Sequence, residues 1–363
     1  TSVVDSGEFE NSEGQTFTWS VTNAGLLTVN GEGELPQFHE DEGGFGGQAP
    51  WYPYRGLVRE IVVGDGITAL GHRSFADASY AHTVSLPSTL DKLYNSAFAG
   101  LGIRELNLPA SVAVIENGAF DSFPKLESIS LGEGAESYTI VDGVLYTADM
   151  TELVLYPAAK EGSTFEMPDD VVMVHPGAFK HAQLETITLS ENLEYIGWWA
   201  FSHNYIIREI EIPMSVTYIA SGAFRAMVSL EKATFCGAEP VVEDWIFGEA
   251  AENFTVHYPN NLPGWNVNDG EWTPDDNPAY PAVGYEADIP EGPRDGGEFI
   301  DEAQYDEEGN LMEGDRKVYW SLDWDGTLTF WGYGPMPDWD WDRESPWLKY
   351  ANSITKVIFA DGN

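Results

Sequence analysis

His181 and His203 each stand two residues after a phenylalanine. Imidazoles at matched positions could hold a divalent metal if a third ligand joined them. No third ligand is evident, so solvated turn histidines are expected, and no metal or other cofactor. Asp338, Asp340 and Asp342 alternate with Trp339 and Trp341, which sets three carboxylates toward one side in the manner suited to a hard cation such as Ca²⁺. The twelve-residue loop of a dedicated calcium site does not accompany them, and an acidic loop is the plainer reading. The segment Gly197-Trp-Trp-Ala-Phe-Ser-His-Asn-Tyr205 offers a different chemistry. Aromatic rings on a surface bury large area at low entropic cost and so anchor partners. No nucleophile elbow, zinc-protease helix motif or phosphate loop is found, and the chain is expected not to be an enzyme.

The 363 residues carry 17 Lys+Arg against 60 Asp+Glu, a net charge of −43, with 43% hydrophobic and 13% aromatic residues. That is too apolar for a disordered acidic tail, so the chain folds beneath an acidic skin. Such a surface repels phosphate backbones and anionic headgroups, so neither nucleic acid nor a membrane is an expected partner. No uncharged apolar run is long enough to span a bilayer. A chain beginning at Thr1 reads as a mature or trimmed form. The single Cys236 permits no internal disulfide, and stability must come from packing.

The elements that would position these residues show themselves as a repeat. Phe75, Phe98, Phe120, Phe179, Phe201, Phe224 and Phe247 are spaced by 23, 22, 59, 22, 23 and 23 residues. Five residues before each lies an aliphatic residue, Leu70, Leu93, Ile115, Val174, Ile196, Ile219 or Val242. About ten residues after most of them runs an alternating segment such as Arg104-Glu-Leu-Asn-Leu108 or Arg208-Glu-Ile-Glu-Ile212. Period-two alternation means a half-buried strand. One such unit cannot cover its own apolar face, but stacked units bury one another's Leu, Ile and Phe. The expected fold is a β-rich, right-handed solenoid with one short strand per 22–23 residue repeat, its phenylalanines in a single column.

Residues 60–266 are assigned to this array, with a β-hairpin insertion near 132–168 filling the 59-residue gap. A stretch rich in Pro, Gly and Asp, 267–297, is assigned as a linker, its composition being that of a linker or an irregular cap. Residues 1–59 form an N-terminal β capping element, and 298–363 repeat it. Trp19, Gly25, Leu27-Thr-Val29 and Gly31 recur 301 residues later as Trp320, Gly326, Leu328-Thr-Phe330 and Gly332. At an offset of 296, Pro50-Trp51, Tyr54 and Val63-Gly-Asp-Gly66 recur as Pro346-Trp347, Tyr350 and Phe359-Ala-Asp-Gly362. Either the natural polypeptide continues with a second array, or the second copy serves alone as a terminal module.

The unit Leu-x-x-Ile-x-Leu-Pro followed by x-x-Val-x-x-Ile-x-x-x-Ala-Phe resembles the BspA-like, treponemal-type leucine-rich repeats of bacterial surface proteins. Glu127 to Leu131, Ser215 to Phe224 and the hairpin Gly143 to Tyr156 lie close to that pattern. The resemblance implies a cell-surface or secreted adhesin that binds host matrix proteins or other cells. Where the family often has Cys three residues after Phe, this chain has Ala78, Leu101, Phe123, Ala182, Asn204 and Met227, which still read mostly as small or apolar inward positions.

Alternation turns Thr186, Thr188, Glu209 and Glu211 outward on the strand face. Trp198 and Trp199 take the place of turn pairs such as Asn95-Ser96 and Ser221-Gly222. Trp198, Trp199, Tyr205, Glu209 and Glu211, with Thr186 and Thr188 beside them, are the expected contact residues for an extracellular protein or glycan ligand of a monomeric recognition module. The alternative is a structural spacer or surface-layer component that presents a further module.

Overall fold

The computed structural model describes residues 1–38, 48–300, 317–332 and 344–360. Asp338, Asp340 and Asp342, and the calcium reading placed on them, lie outside the described residues.

Three antiparallel strands, Val3–Glu10, Thr16–Thr22 and Leu26–Gly31, open the chain. Glu60–Val63 adds parallel to the third, and Thr83–Ser85 adds parallel in turn, so the opening sheet runs on into the array without a seam. The array then continues the pleated face with Glu105–Leu108 and Ser128–Leu131, and later with Thr164–Glu166 and Thr186–Thr188. Glu209–Ile212, Lys232–Phe235 and Thr255–Pro259 follow as parallel neighbours. Inward residues Leu106, Ile187, Ile210 and Ala233 are buried, while Glu105, Asn107, Thr186, Thr188, Glu209 and Glu211 are exposed, as the alternation requires.

The return path of most turns adds a second, two-residue strand ending on the aliphatic rung. Lys92–Leu93 and Val114–Ile115 belong to one parallel sheet, and Met173–Val174, Tyr195–Ile196, Tyr218–Ile219 and Val241–Val242 pair in parallel within a second, mixed one. A tight turn then delivers the phenylalanine, whose N–H donates to the carbonyl just before the next one: Phe179 to Ala200 and Phe201 to Ala223, both at 2.8 Å. That approach explains the small residue before most Phe rungs, since Ala97, Ala119, Ala178, Ala200 and Ala223 are all buried there.

The 59-residue gap holds one more rung, and it is a tyrosine. Tyr156 stacks on Phe179 at 5.1 Å, and its N–H donates to the carbonyl of Ala178 as a Phe would. Its strand Glu152–Leu155 pairs parallel with Met173–Val174 and closes an antiparallel hairpin formed with Tyr138–Val141 and Val144–Thr147. Only three residues separate Leu153 from Tyr156 where the other turns use five.

This hairpin divides the core. Leu145, Val154 and Leu155 face one cluster, which holds Phe75, Phe98 and Phe120. Val144, Tyr146, Leu153 and Tyr156 face the other, which holds Phe179, Phe201, Phe224 and Phe247. The single column expected from the spacing is therefore two stacks. Trp51 begins the first beneath Phe75 at 5.9 Å, and Tyr156 begins the second.

Of the linker and the irregular cap left open over 267–297, the linker needs correction. Val267–Asn268 and Glu271–Trp272 form a hairpin that leads into Tyr280–Tyr285, and this last strand pairs parallel with Thr255–Pro259. Trp272 is wholly buried against Phe235, Trp265 and Tyr280, all part of or packed on the second cluster. Two large rings are enough to close the end of the apolar stack, whatever the composition between them. After it, Asp295–Ile300, Lys317–Leu322, Thr327–Gly332 and Lys356–Phe359 form a separate four-stranded sheet.

Candidate functional site

The shortened turn at Tyr156 leaves a notch on the turn side of the solenoid, and the repeats on either side meet across it. Lys180 Nζ reaches Asp121 Oδ1 at 2.8 Å, and Ser122 Oγ lies 3.3 Å from His181 Nε2. Trp198 reaches over to Gly118, where a Cβ would stand 3.3 Å from its indole. Lys180, itself buried, also places its ammonium 4.4 Å from the ring centre of Trp199, a favourable cation–π geometry.

The left-handed position of each turn, two residues before the Phe, holds Arg73, Ser96, Gly118, Gly177, Trp199, Gly222 and Trp245, all with φ between +56° and +77°. Bulky side chains rarely accept that backbone, which costs an L-residue about 1–2 kcal/mol. Yet Trp199 and Trp245 remain 36% and 53% exposed. Trp199 lies against Gly222, where a Cβ would come within 2.7 Å of its ring. Gly222→Ala is therefore expected to lose about 1–2 kcal/mol through φ alone and to shift the Trp199 emission, both readable in one fluorescence-monitored denaturant titration.

Trp245 escaped the sequence reading. The signal was present, because it precedes Phe247 by the two residues that separate Trp199 from Phe201. Tyr205, 44% exposed, continues the aromatic ridge, its ring 6.0 Å edge-on from His203. The imidazoles of His181 and His203 are 4.8 Å apart, close to the one-strand spacing expected of adjacent repeats. Among the described residues no group of three or more His, Cys, Asp or Glu is placed to hold a metal ion.

Burial, then the charges of His203 and Lys180, pushes His181 down to about 4 against the partial relief of Asp121. His203 is lowered by burial and by Lys180, with Glu249 opposing. A histidine depressed on folding gives its full stability above its ordinary value near 6.5 and loses it as pH falls toward the folded value, because the unfolded chain takes up the proton first. After discounting for its partial exposure, His181 should contribute about 1–3 kcal/mol of destabilisation between pH 6.5 and 4. His181→Gln should flatten that part of the stability profile in urea titrations at several pH values. An unchanged slope would refute the assignment.

On the strand face, Thr186, Thr188, Glu209 and Glu211 do come together, lining a shallow groove of about 320 Å³ with Lys232 and Thr234. Lys232 Nζ pairs with Glu209 at 2.9 Å. Cys236 sits beside Glu211 at 3.4 Å, and burial with that carboxylate pushes its thiol up to about 12, so it is no nucleophile at neutral pH. The groove and the ridge do not merge. Trp198 and Trp199 belong to the tight turn, Glu209 and Glu211 to the strand, and the buried Phe201 and Ile210 face the core from those two segments. The sequence therefore marks two surfaces rather than one patch.

The alternation, the stacked Phe rungs and the paired short strands together specify a leucine-rich repeat. A sequence model described as "BspA type Leucine rich repeat region", in 6 copies, matches residues 54–161 and 158–263. The chain belongs to this family. Among solved structures it is similar to a leucine-rich repeat protein from Eubacterium ventriosum, at 22% identity over 71% of this chain and 79% of that one, with a TM-score of 0.51. It is also similar to the pneumococcal vaccine antigen PcpA, at 16% identity over 69% and 87% of the two chains and a TM-score of 0.47. A leucine-rich cell surface protein from Faecalibacterium prausnitzii matches at 16% identity over 71% and 90%, with a TM-score of 0.46. No curated protein matches the chain. At these identities the likeness is one of fold. Among the described residues no helix is long and apolar enough to cross a membrane.

Proposed function

We propose that this BspA-type repeat protein is a non-catalytic recognition module, secreted or held at a bacterial cell surface, that binds an extracellular protein or glycan through the turn ridge of Trp198, Trp199, Tyr205 and Trp245. One observation carries the reading. Two tryptophans occupy left-handed positions that sibling turns fill with Gly, with Ser96 or with Arg73, and both stay substantially exposed. A bulky residue kept in a costly conformation without being buried serves something other than the core. Exposed rings flanked by Arg225, Glu249 and Lys180 have the makeup of an anchor with a polar rim.

The test is binding to arrays of matrix proteins and glycans, comparing the wild type with Trp199→Ser/Trp245→Ser, because Ser96 shows that the turn accepts serine. We expect at least a tenfold loss of signal for the ligands bound. Unchanged binding in that double variant, together with loss in Glu209→Gln/Glu211→Gln, would transfer recognition to the strand groove. The acidic surface predicts preference for basic partners and weakening with salt. A second reading, a spacer that presents a further domain, is favoured by one feature of the terminal sheet, its exposed last strand.

A further inference from the structure

The two copies of the opening element share their strand register and their close contacts. Trp19 pairs with Val29 and Trp320 with Phe330 in the same register. Each indole Nε1 lies where a Cβ on the facing glycine, Gly7 or Gly297, would stand 2.9 Å away. Tyr54 donates to Asp5, and Tyr350 donates to Asp295. The fourth strand is parallel in both, Leu26 opposite Glu60 and Thr327 opposite Lys356.

They differ at one edge. In the first copy Glu60–Val63 is paired on its far side with the array: Glu60 with Thr83, Ile61 with Val84 and Val62 with Ser85. Ile61 is 0% and Val63 3% exposed. In the second copy, no strand among the described residues pairs with the far side of Lys356–Phe359. Its counterparts of Ile61 and Val63, Val357 and Phe359, are 48% and 71% exposed, and Phe359 stacks one face on Phe330 at 5.3 Å. An open edge carrying exposed apolar side chains, with no proline or bulge to blunt it, is a template for another strand.

We propose that Lys356–Phe359 is the seat for the first turn of a second leucine-rich array, carried by the same polypeptide. The occupant is identified by internal precedent. The equivalent edge is filled by a parallel leucine-rich strand, and the Asp65-Gly66 through which the first copy enters its array recurs as Asp361-Gly362. The incoming turn would add a strand like Thr83–Ser85 and cover Val357 and Phe359 as Val84 and the first cluster cover Ile61 and Val63. This seat is independent of any ligand on the turn ridge.

The test compares hydrogen exchange at residues 357 and 359 in the 363-residue chain and in the polypeptide purified from its natural source, with intact mass measured on the latter. We expect a native mass well above that of 363 residues, further leucine-rich repeats in its peptides, and at least 100-fold slower exchange at 357 and 359 than in the shorter chain, since these are the amides on the open side, Ala360 already donating to Phe330. Phe359→Asp should restore fast exchange there while leaving residues 60–63 protected. A native mass equal to 363 residues overturns the proposal. So does a longer protein in which these amides stay unprotected, or protection that appears in the shorter chain only as it dimerises, which would assign the edge to a second copy.

Discussion

Phe201→Ala is expected to destabilise the protein by about 3–5 kcal/mol, the range for emptying a fully buried aromatic site. Phe201 is completely buried, stacked on Phe179 at 5.0 Å and on Phe224 at 5.3 Å. The cavity cannot collapse easily, because the rungs on either side are held at repeat spacing by backbone hydrogen bonds. Position within the array decides how the loss spreads. In a solenoid each turn touches only its neighbours, so damage propagates along the stack until it meets a weak joint. The hairpin Tyr138–Leu155 is that joint, since its two faces belong to different clusters. Native-state hydrogen exchange on the variant should show protection lost from about residue 156 to 285 and kept over Glu105–Leu108 and Ser128–Leu131. Equal loss in both halves would mean that the hairpin couples the two stacks instead of separating them.

The repeat was legible because Phe rungs recurring at 22 or 23 residues, each with an aliphatic rung five residues before it, suit units that stack in register. The outward residues of the strand groove were legible for the same reason, period two leaving no other side for Thr186, Thr188, Glu209 and Glu211. The Tyr156 rung was hidden by two local changes at once: a tyrosine in place of phenylalanine, and a turn shortened by two residues. The ridge was read in part. Trp198 and Trp199 stood out against Gly and Ser at sibling positions, but joining them to Glu209 and Glu211 followed nearness in sequence, whereas one coil of the solenoid carries turn and strand to different sides. Asn204, at one of the expected inward positions, is fully buried, with its amide bridging the carbonyls of Phe179 and Phe201 at 2.8 Å each.

For the segment after the array, composition leaves a linker and an irregular cap both open, because composition reports an average and a core is closed by individuals. Trp272→Ala tests this with an effect comparable to Phe201→Ala, about 3–5 kcal/mol, where a tryptophan in a linker would give close to none. Exchange should quicken first in Thr255–Pro259 and Tyr280–Tyr285, the strands that Trp272 holds against Phe235. Trp272→Phe separates packing from hydrogen bonding. The indole Nε1 donates to Glu239 Oε1 at 2.7 Å, and Glu239 is raised above the usual carboxylate range by burial, with that hydrogen bond opposing the rise. Removing the donor should raise it further, so the charged form becomes costlier in the folded state alone. A carboxyl raised on folding loses stability as pH climbs through its ordinary value, and the Phe variant should be more strongly destabilised at pH 7 than at pH 4. Equal destabilisation at both would show that Trp272 acts through its ring alone.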